Sequence, residues 1–561
     1  MLDLRSVSIR LALLPCTLAS PLWAQSVAVQ TENHLVLVDT EGRVEWSMPF
    51  AGSTQVERLR NGNLMVLVGS RELVEIETVR KSVVWRYDAG SEARITSFAP
   101  LASGKVLVSA ADPPHLTAID RFGVASEPVA LASAIEGLGT SVLAASVLDD
   151  GPEADLLRRA RDVHRRTLTL DTHKDIRASL ASPPSVDAAV DPEEAERQRL
   201  RDDPTVWGTN QVDFPKMRAG GLDVAFYIVY VGQGALDDEG FGRAREQALA
   251  KFDAIDRMCA RFPDDIGLAR SPADVERLAA DGKLVCCIGI ENGYAMGMDL
   301  GAIEEFHARG ARYMSLTHNR HSQLGDSNTP ADEPLHGGLS DLGRRAIAEM
   351  NRVGIMVDVS HASKETTLQA IAASKAPVIA SHSGVDAVLE HGRNLSDEEL
   401  RALAENGGVI QCVAFASYVK SDGGRRDFIR RTREELGLPP QRGSRQVTDD
   451  PEVRAKMLAL RKRVEEFDAQ RDPADVADFV DHIDYAVSVA GIDHVAISSD
   501  FDGGGGIAGW SDASETFNVT LELVRRGYSD EEVGKLWSGN TLRVWREVER
   551  FAAASSDAEG D

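Results

Sequence analysis

An α/β, TIM-like (β/α)8 barrel preceded by a small all-β region is the architecture this chain predicts, and three observations predict it. From residue 155 onward, apolar runs of strand length alternate with amphipathic helical stretches. Residues 27–125 instead carry short alternating apolar runs broken by Gly, Asn and Asp, the pattern of antiparallel strands. The 561 residues are 43% hydrophobic, enough for one large core and a second, smaller unit.

Residues 1–24 read as a secretory signal peptide. Arg5 and Arg10 precede the apolar run "LALLPCTLASPLWA" and polar "QS" follows it, so cleavage is expected near Ala24 and the mature chain is expected to be periplasmic or secreted. A retained anchor is the alternative, but the run is short for a bilayer and holds two prolines, so no stable membrane span is expected after cleavage. Pro15 is a poor fit to the small residue expected before a lipoprotein Cys16. Of the remaining cysteines, Cys259, Cys286, Cys287 and Cys412, three lie in apolar strand-like runs where buried thiols are common, and no obligatory disulfide is expected. The 62 basic and 88 acidic side chains give a formal charge of −26, which argues against nucleic acid or an anionic membrane surface as a partner.

The all-β stretch repeats. "HLVLVDTEGRVEW" recurs loosely as "ELVEIETVRKSVVW" with Trp46 and Trp85 in step, and "NGNLMVLV" is echoed by "SGKVLVSA" with Gly62 and Gly104 in step. A spacing near 40 residues is that of one propeller blade, and the segment resembles the blade repeats of PQQ-type propellers. It covers two to three blades where closure usually takes at least four, so an incomplete propeller, a small sheet and part of an oligomer are the alternatives, with an unknown partner. Residues 126–154 read as a linker, 155–552 as the barrel and 553–561 as a disordered tail.

The eight barrel strands are "RTLTLDTH", "LDVAFYIVYV", "KLVCCIGIEN", "ARYMSLTH", "GIMVDVSH", "APVIASHS", "GVIQCVAFAS" and "HVAISSDFDG". Helical patterns such as "GRAREQALAKFDAIDRMCARF" and "SDLGRRAIAEMNRVG" separate most of them, so the strands are expected to be parallel. A doubly wound open sheet is the alternative, but no Gly-rich phosphate loop follows the first strand. Two long polar connections, 177–218 and 420–472, are expected to leave the C-terminal rim, where lids belong.

The strand ends carry the chemistry: His173 and Asp175, Glu291, His318, His361, His382 and Asp500. A lone His-x-Asp is more often a surface histidine beside a solvated aspartate. Here the candidates fall at six of eight strand ends, which a barrel gathers on one face. Imidazole and carboxylate donors without cysteine suit zinc or a related divalent ion. They are too many for one open catalytic ion, whereas two ions sharing one carboxylate fit them: His173, Asp175 and Glu291 on the first, and Glu291, His361 and His382 on the second. A water between two cations ionises near neutral pH and becomes a nucleophile.

This constellation resembles the membrane dipeptidase family, also called renal dipeptidase or peptidase family M19. The resemblance covers about residues 165–548 and rests on "DTHKD", "IGIENG", "RYMSLTHN", "GGLSDLGR", "VDVSHAS", "IASHS", "RN" at 393 and 394, "SSDFDG" and "SGNTLRVW", in family order. It implies two zinc ions held by His173, Asp175, Glu291, His361 and His382, with Glu291 bridging. It further implies that His318 lies over the substrate and steadies the oxyanion, that Arg393 binds the substrate carboxylate and that Asp500 handles protons; without the resemblance, Arg393 reads equally as a surface ion pair before the helix "SDEELRALAE", and Asp500 as a carboxylate that orients a ligand histidine. One departure is Lys174 between the first two ligands, where the family commonly has "DGHND" or "DTHVD"; strand alternation turns Lys174 away from the metals. Another is "HNRHSQLGDS", which bears on side-chain preference, with His321 expected at the rim or surface.

The resemblance therefore implies a dizinc metallo-dipeptidase acting on small dipeptides, with D-residue dipeptides within its range. A metallohydrolase for another amide, a β-lactam or a lactone is the second alternative, and a non-catalytic binding protein the third. The sequence leaves open whether the chain forms a homodimer.

Overall fold

The computed structural model describes strands between 27 and 130 and, from residue 152 to 559, everything except 183–191, 330–332, 422, 439–450 and 469–472. The leader-like residues 1–24 lie outside the described residues. The chain divides into two compact units, Met1–Arg159 and Ala160–Asp561.

The first unit is all-β. It holds a three-stranded antiparallel sheet (Val27–Gln30, His34–Val38, Val44–Pro49) and a four-stranded one (Ser53–Arg58, Leu64–Val68, Glu72–Glu77, Ser82–Asp88). A second four-stranded sheet follows (Ile95–Pro100, Val106–Ala111, Pro114–Ile119, Val129–Ala130). The repeat read from the tryptophans is a repeat of hairpins: Trp46 pairs with Leu37 as Trp85 pairs with Glu75. The last strand, Val129–Ala130, falls inside the stretch 126–154 read as a linker, and a helix already begins at Pro152.

The second unit is the barrel. Its strands run in chain order: β1 (Leu170–Asp175), β2 (Val224–Tyr230), β3 (Leu284–Glu291), β4 (Ala311–Ser315), β5 (Met356–Asp358), β6 (Ile379–Val385), β7 (Val409–Val413) and β8 (Val495–Ser498). Every neighbouring pair is parallel. The ring closes where Lys174 bridges to Phe501 just past β8 and the Asp175 N–H donates to the Phe501 carbonyl at 2.8 Å. Two short strands missed by the sequence reading, Ile266–Leu268 and Asn394–Leu395, add to β3 and β6.

Apolar residues fill the barrel, as β-branched and aromatic strands with both faces covered require. Leu170, Phe226, Ile228, Cys287, Met356, Ile379, Val409 and Ala496 form one buried core with Trp545 and Val548 of the last helix. Phe226 stacks between Tyr313 and Trp545 with ring centroids 5.3 and 5.9 Å away. That last helix, Asn540–Glu559, runs through most of the stretch 553–561 read as a tail, which corrects that assignment. The surrounding helices open on side-chain caps, among them Asp237, Ser340, Ser363 and the capping box of Asp475 with Asp478. Cys259, Cys286, Cys287 and Cys412 are free thiols.

The two long connections are partly helical: Pro192–Asp202 and Phe214–Gly220 follow β1, and Arg425–Glu435 and Pro451–Asp468 follow β7. No helix among the described residues is long and apolar enough to cross a membrane.

Candidate metal centre

Each candidate reaches the rim for a local reason. His173 and Asp175 are two apart on β1, and Glu291 is the last residue of β3. His382 lies within β6, while His318, His361 and Asp500 follow the ends of β4, β5 and β8. His361 and Asp500 turn inward through left-handed backbone, with φ of +68° and +57°, and Asn292 after Glu291 does the same at +78°. Such conformations are costly for residues other than glycine and cluster at functional sites.

Glu291 is the centre of the arrangement. Its Oε1 lies 3.0 Å from His361 Nε2, 3.3 Å from His382 Nε2 and 3.7 Å from His318 Nε2. Its Oε2 lies 3.7 Å from His173 Nε2. On the other side His173 gathers Asp175 and Asp500, with ligand atoms within 4.8 Å of one another. All seven residues expected at the rim thus meet there, with Asp500 beside the pair His173 and Asp175.

A second layer fixes the imidazoles. Tyr313 donates its hydroxyl to the Thr172 carbonyl at 3.0 Å, so the 3.0 Å contact between its oxygen and His173 Nδ1 takes the imidazole proton. His173 Nε2 is left facing the site without a hydrogen-bond partner. Gly289 makes this possible, because a side chain there would strike the Tyr313 ring. In the same way Ser381 donates to Asp358 at 2.6 Å and accepts from His382 Nδ1 at 2.8 Å, leaving Nε2 of His382 open. Asp171 holds Ser499 through the backbone N–H at 2.8 Å and the hydroxyl at 2.5 Å, pinning β1 to the turn that carries Asp500. The sequence reading missed Asp171, Tyr313, Asp358 and Ser381. Asp171 and Asp358 stand inside the quoted motifs "DTHKD" and "VDVSHAS", and Asp171 lies on the same alternation as His173 and Asp175, which would have flagged it.

The site is strongly anionic at its centre. Burial alone would lower the His173 pKa, but Glu291, Asp500 and Asp175 outweigh it and raise it to about 9. Burial and the Glu291 and Asp175 charges push Asp500 well above the usual carboxylate range. Burial would raise Glu291 too, but His318 and His173 hold it well below its usual value. His318 is lowered by burial and by Arg393, which favours the neutral ring.

The residues fit a pair of divalent ions. His173 Nε2 and Asp175 Oδ1 are buried without a hydrogen-bond partner, and the Nε2 atoms of His361 and His382 face each other at 2.9 Å. Donor atoms around a four-coordinate zinc lie about 3.3 Å apart, which the Glu291, His361 and His382 separations approach. Arg393 is buried without an ion pair of the surface kind weighed from sequence. Its Nη2 donates to the His382 carbonyl at 2.8 Å, its guanidinium lies 5.5 Å from the Tyr418 ring centre, and its Nε and Nη1 have no partner. Tyr230, at the end of β2, stacks 4.7 Å from His318 and is a site residue that the sequence reading did not single out. Lys174 points away, 3.6 Å from Asp502 Oδ2 and over the Tyr227 ring at 4.9 Å. His321 is half-buried and accepts the Ser327 N–H at Nδ1.

A parallel eight-stranded barrel with histidines and carboxylates converging on its C-terminal rim defines a metal-dependent hydrolase. Residues 157–559 match the family model Membrane dipeptidase (Peptidase family M19), and the chain belongs to that family. It is 33% identical over 353 residues to Dipeptidase aclJ of Aspergillus oryzae (strain ATCC 42149 / RIB 40), covering 62% of this chain and 72% of that one. The crystal structure of the probable dipeptidase PvdM from Pseudomonas aeruginosa has a TM-score of 0.60 and 32% identity, over 72% of this chain and 100% of that one. A metallo peptidase from Rhodobacter sphaeroides, liganded with a phosphinate mimic of the dipeptide L-Ala-D-Ala, shares the fold at a TM-score of 0.51 and 22% identity, over 68% of this chain and 99% of that one.

Proposed function

We propose that the chain is a dizinc dipeptidase that hydrolyses small dipeptides, including those with a D residue. The observation that carries this reading is Glu291, whose two oxygens face two groups of open donors, with a partly unpartnered guanidinium beside one of them. His173, Asp175 and Glu291 would hold one ion and Glu291, His361 and His382 the other. Two such ions would lower the pKa of a water they share and polarise the scissile carbonyl.

The chain's own residues do the rest. Arg393 has N–H groups at Nε and Nη1 without a partner and would donate from one of them to the C-terminal carboxylate, setting the substrate's direction. His318, neutral because burial lowers its pKa, donates an N–H to the oxygen that gains charge at the carbonyl. Asp500, raised by burial and by its neighbours, takes the proton of the attacking water and returns it to the leaving amine. The helices Pro192–Asp202 and Arg425–Glu435 follow strand ends at this rim and would limit access to short substrates. An exported location, periplasmic or secreted, belongs to the same proposal and is supported by the leader-like sequence alone.

The test is turnover of L,L and L,D dipeptides against their C-terminal amides, with metal counted per chain. The dipeptidase reading expects two metals and loss of activity on the amides. Equal turnover of acid and amide would instead favour an amidohydrolase that does not read the carboxylate.

A further inference from the structure

Gln211 lies in the connection after β1, between the helices Pro192–Asp202 and Phe214–Gly220, and is bonded throughout to the turn that carries Asp500. Its N–H donates to Asp502 Oδ1 at 2.8 Å and its Oε1 accepts the Asp502 N–H at 2.7 Å. Its Nε2 donates to the carbonyls of Gly505 at 2.9 Å and Ser511 at 2.8 Å. Its own carbonyl accepts the Ala513 N–H at 2.9 Å. Every polar group of this one residue is thus spent on the segment 502–513. The far side of Asp502 faces β1, where Lys174 Nζ lies 3.6 Å from Oδ2.

That segment needs an external hold. Asp500 and Asp502 are both left-handed, at φ +57° and +62°, a conformation that non-glycine residues leave unless surrounding contacts fix it. The turn is also pressed against the site: a side chain at Gly503 would come within 2.1 Å of Asp500 Oδ1 and 2.6 Å of Asp175 Oδ2. A shift of the turn therefore moves both carboxylates. The loop that carries Gln211 is itself fastened, because Lys216 Nζ donates to the Gly208 carbonyl at 3.1 Å and to that of Asn210.

We propose that Gln211 is a positioning residue for Asp500, acting through Asp502 and Gly505, so that the insertion after β1 sets the proton-transfer geometry. This rests on the dipeptidase reading. A misplacement of about 1 Å at a reacting group costs about 10²-fold in rate, whereas Arg393 is held on the β6 side, away from this turn. The experiment compares wild type, Gln211→Ala and Gln211→Glu as zinc-loaded full-length protein. It measures kcat, KM for one dipeptide, zinc per chain and melting temperature. Gln211→Glu keeps the size and the acceptor for the Asp502 N–H, replaces the two N–H donors with a carboxylate oxygen and adds a negative charge beside Asp502. Expected are a 10- to 100-fold fall in kcat for Gln211→Ala, KM within about threefold and unchanged zinc. A folded Gln211→Ala with kcat within twofold of wild type overturns the inference. Should Gln211→Ala not fold, Gln211→Glu decides by the same kcat criterion. An inactive wild type overturns the dipeptidase reading and this inference with it, whereas an active wild type with an unaffected variant overturns the inference alone.

Discussion

The buried histidines of the barrel rim and those of the surrounding helix layer satisfy their rings in opposite ways. In the helix layer His164 has Nδ1 at 2.7 Å from Thr520 Oγ1 and Nε2 at 2.8 Å from the Gly220 carbonyl. His482 likewise accepts the Val385 N–H and meets the Val419 carbonyl, both at 3.0 Å. At the rim, His173 and His382 are closed at Nδ1 and open at Nε2 toward one point, and His361 has a buried Nδ1 without a partner. Charge does not follow the same division: burial lowers His164 to about 4 and also lowers His361 and His382, while at His173 the surrounding carboxylates outweigh burial and raise it to about 9. A core histidine is completed by the protein, and a ligand histidine is half completed by it.

Removing the shared carboxylate is the strongest way to break this contrast. Glu291→Ala is expected to lower kcat by about 10³-fold or more and to reduce bound metal below two per chain, read by metal analysis beside dipeptide turnover. Unchanged metal content would mean that Glu291 bridges nothing. A smaller loss is expected from the second layer. Ser381→Ala removes the acceptor of the His382 Nδ1–H and its link to Asp358, and the expected cost is about 10- to 100-fold in metal affinity, measured by chelator competition. Tyr313→Phe removes the partner of His173 and is expected at the lower end, about 10-fold, because His173 keeps the attraction of Glu291, Asp500 and Asp175. Affinities equal to wild type in both variants would place the ring orientation under the control of packing alone.

The candidate ligands could be gathered from the sequence because parallel strands bring their C-terminal ends to one rim, so motifs scattered from "DTHKD" to "SSDFDG" could be read as one site. The residues that orient those ligands were not. Tyr313 reads as an ordinary apolar strand residue in "ARYMSLTH", and only the fold brings its hydroxyl across to His173. Gln211 sits in a polar insertion whose alternation carries no signal. Arg393 was ambiguous between a surface ion pair and a substrate ligand, and its burial on the β6 side excludes the first. Charge placement was legible only by periodicity: Lys174 between two candidate ligands faces outward as alternation requires, although its partner Asp502 follows β8, close in space and remote in sequence.

The smallest effect on turnover is expected from the helix layer, and it tests the other half of the contrast. His164 has a folded-state pKa of about 4 against an ordinary 6.5, lowered by burial despite the Gly220 carbonyl. A depressed pKa means that the folded state holds the neutral ring, so its contribution is fully present above pH 6.5 and is lost as the pH falls through about 4. The size is at most about 3.5 kcal/mol, the fall from 6.5 to about 4 taken at about 1.4 kcal/mol for each tenfold change in proton affinity between the folded and unfolded states. His164→Gln removes the titrating ring, so the fall in stability between pH 6.5 and 4 should shrink by that amount relative to wild type, measured as denaturation midpoints across the pH series. Site carboxylates titrate in the same window, but they do so in both proteins and cancel in the difference. Parallel stability curves would show that burial between Thr520 and the Gly220 carbonyl does not hold the His164 ring neutral, and the reading of it as an imidazole completed by the protein would not hold.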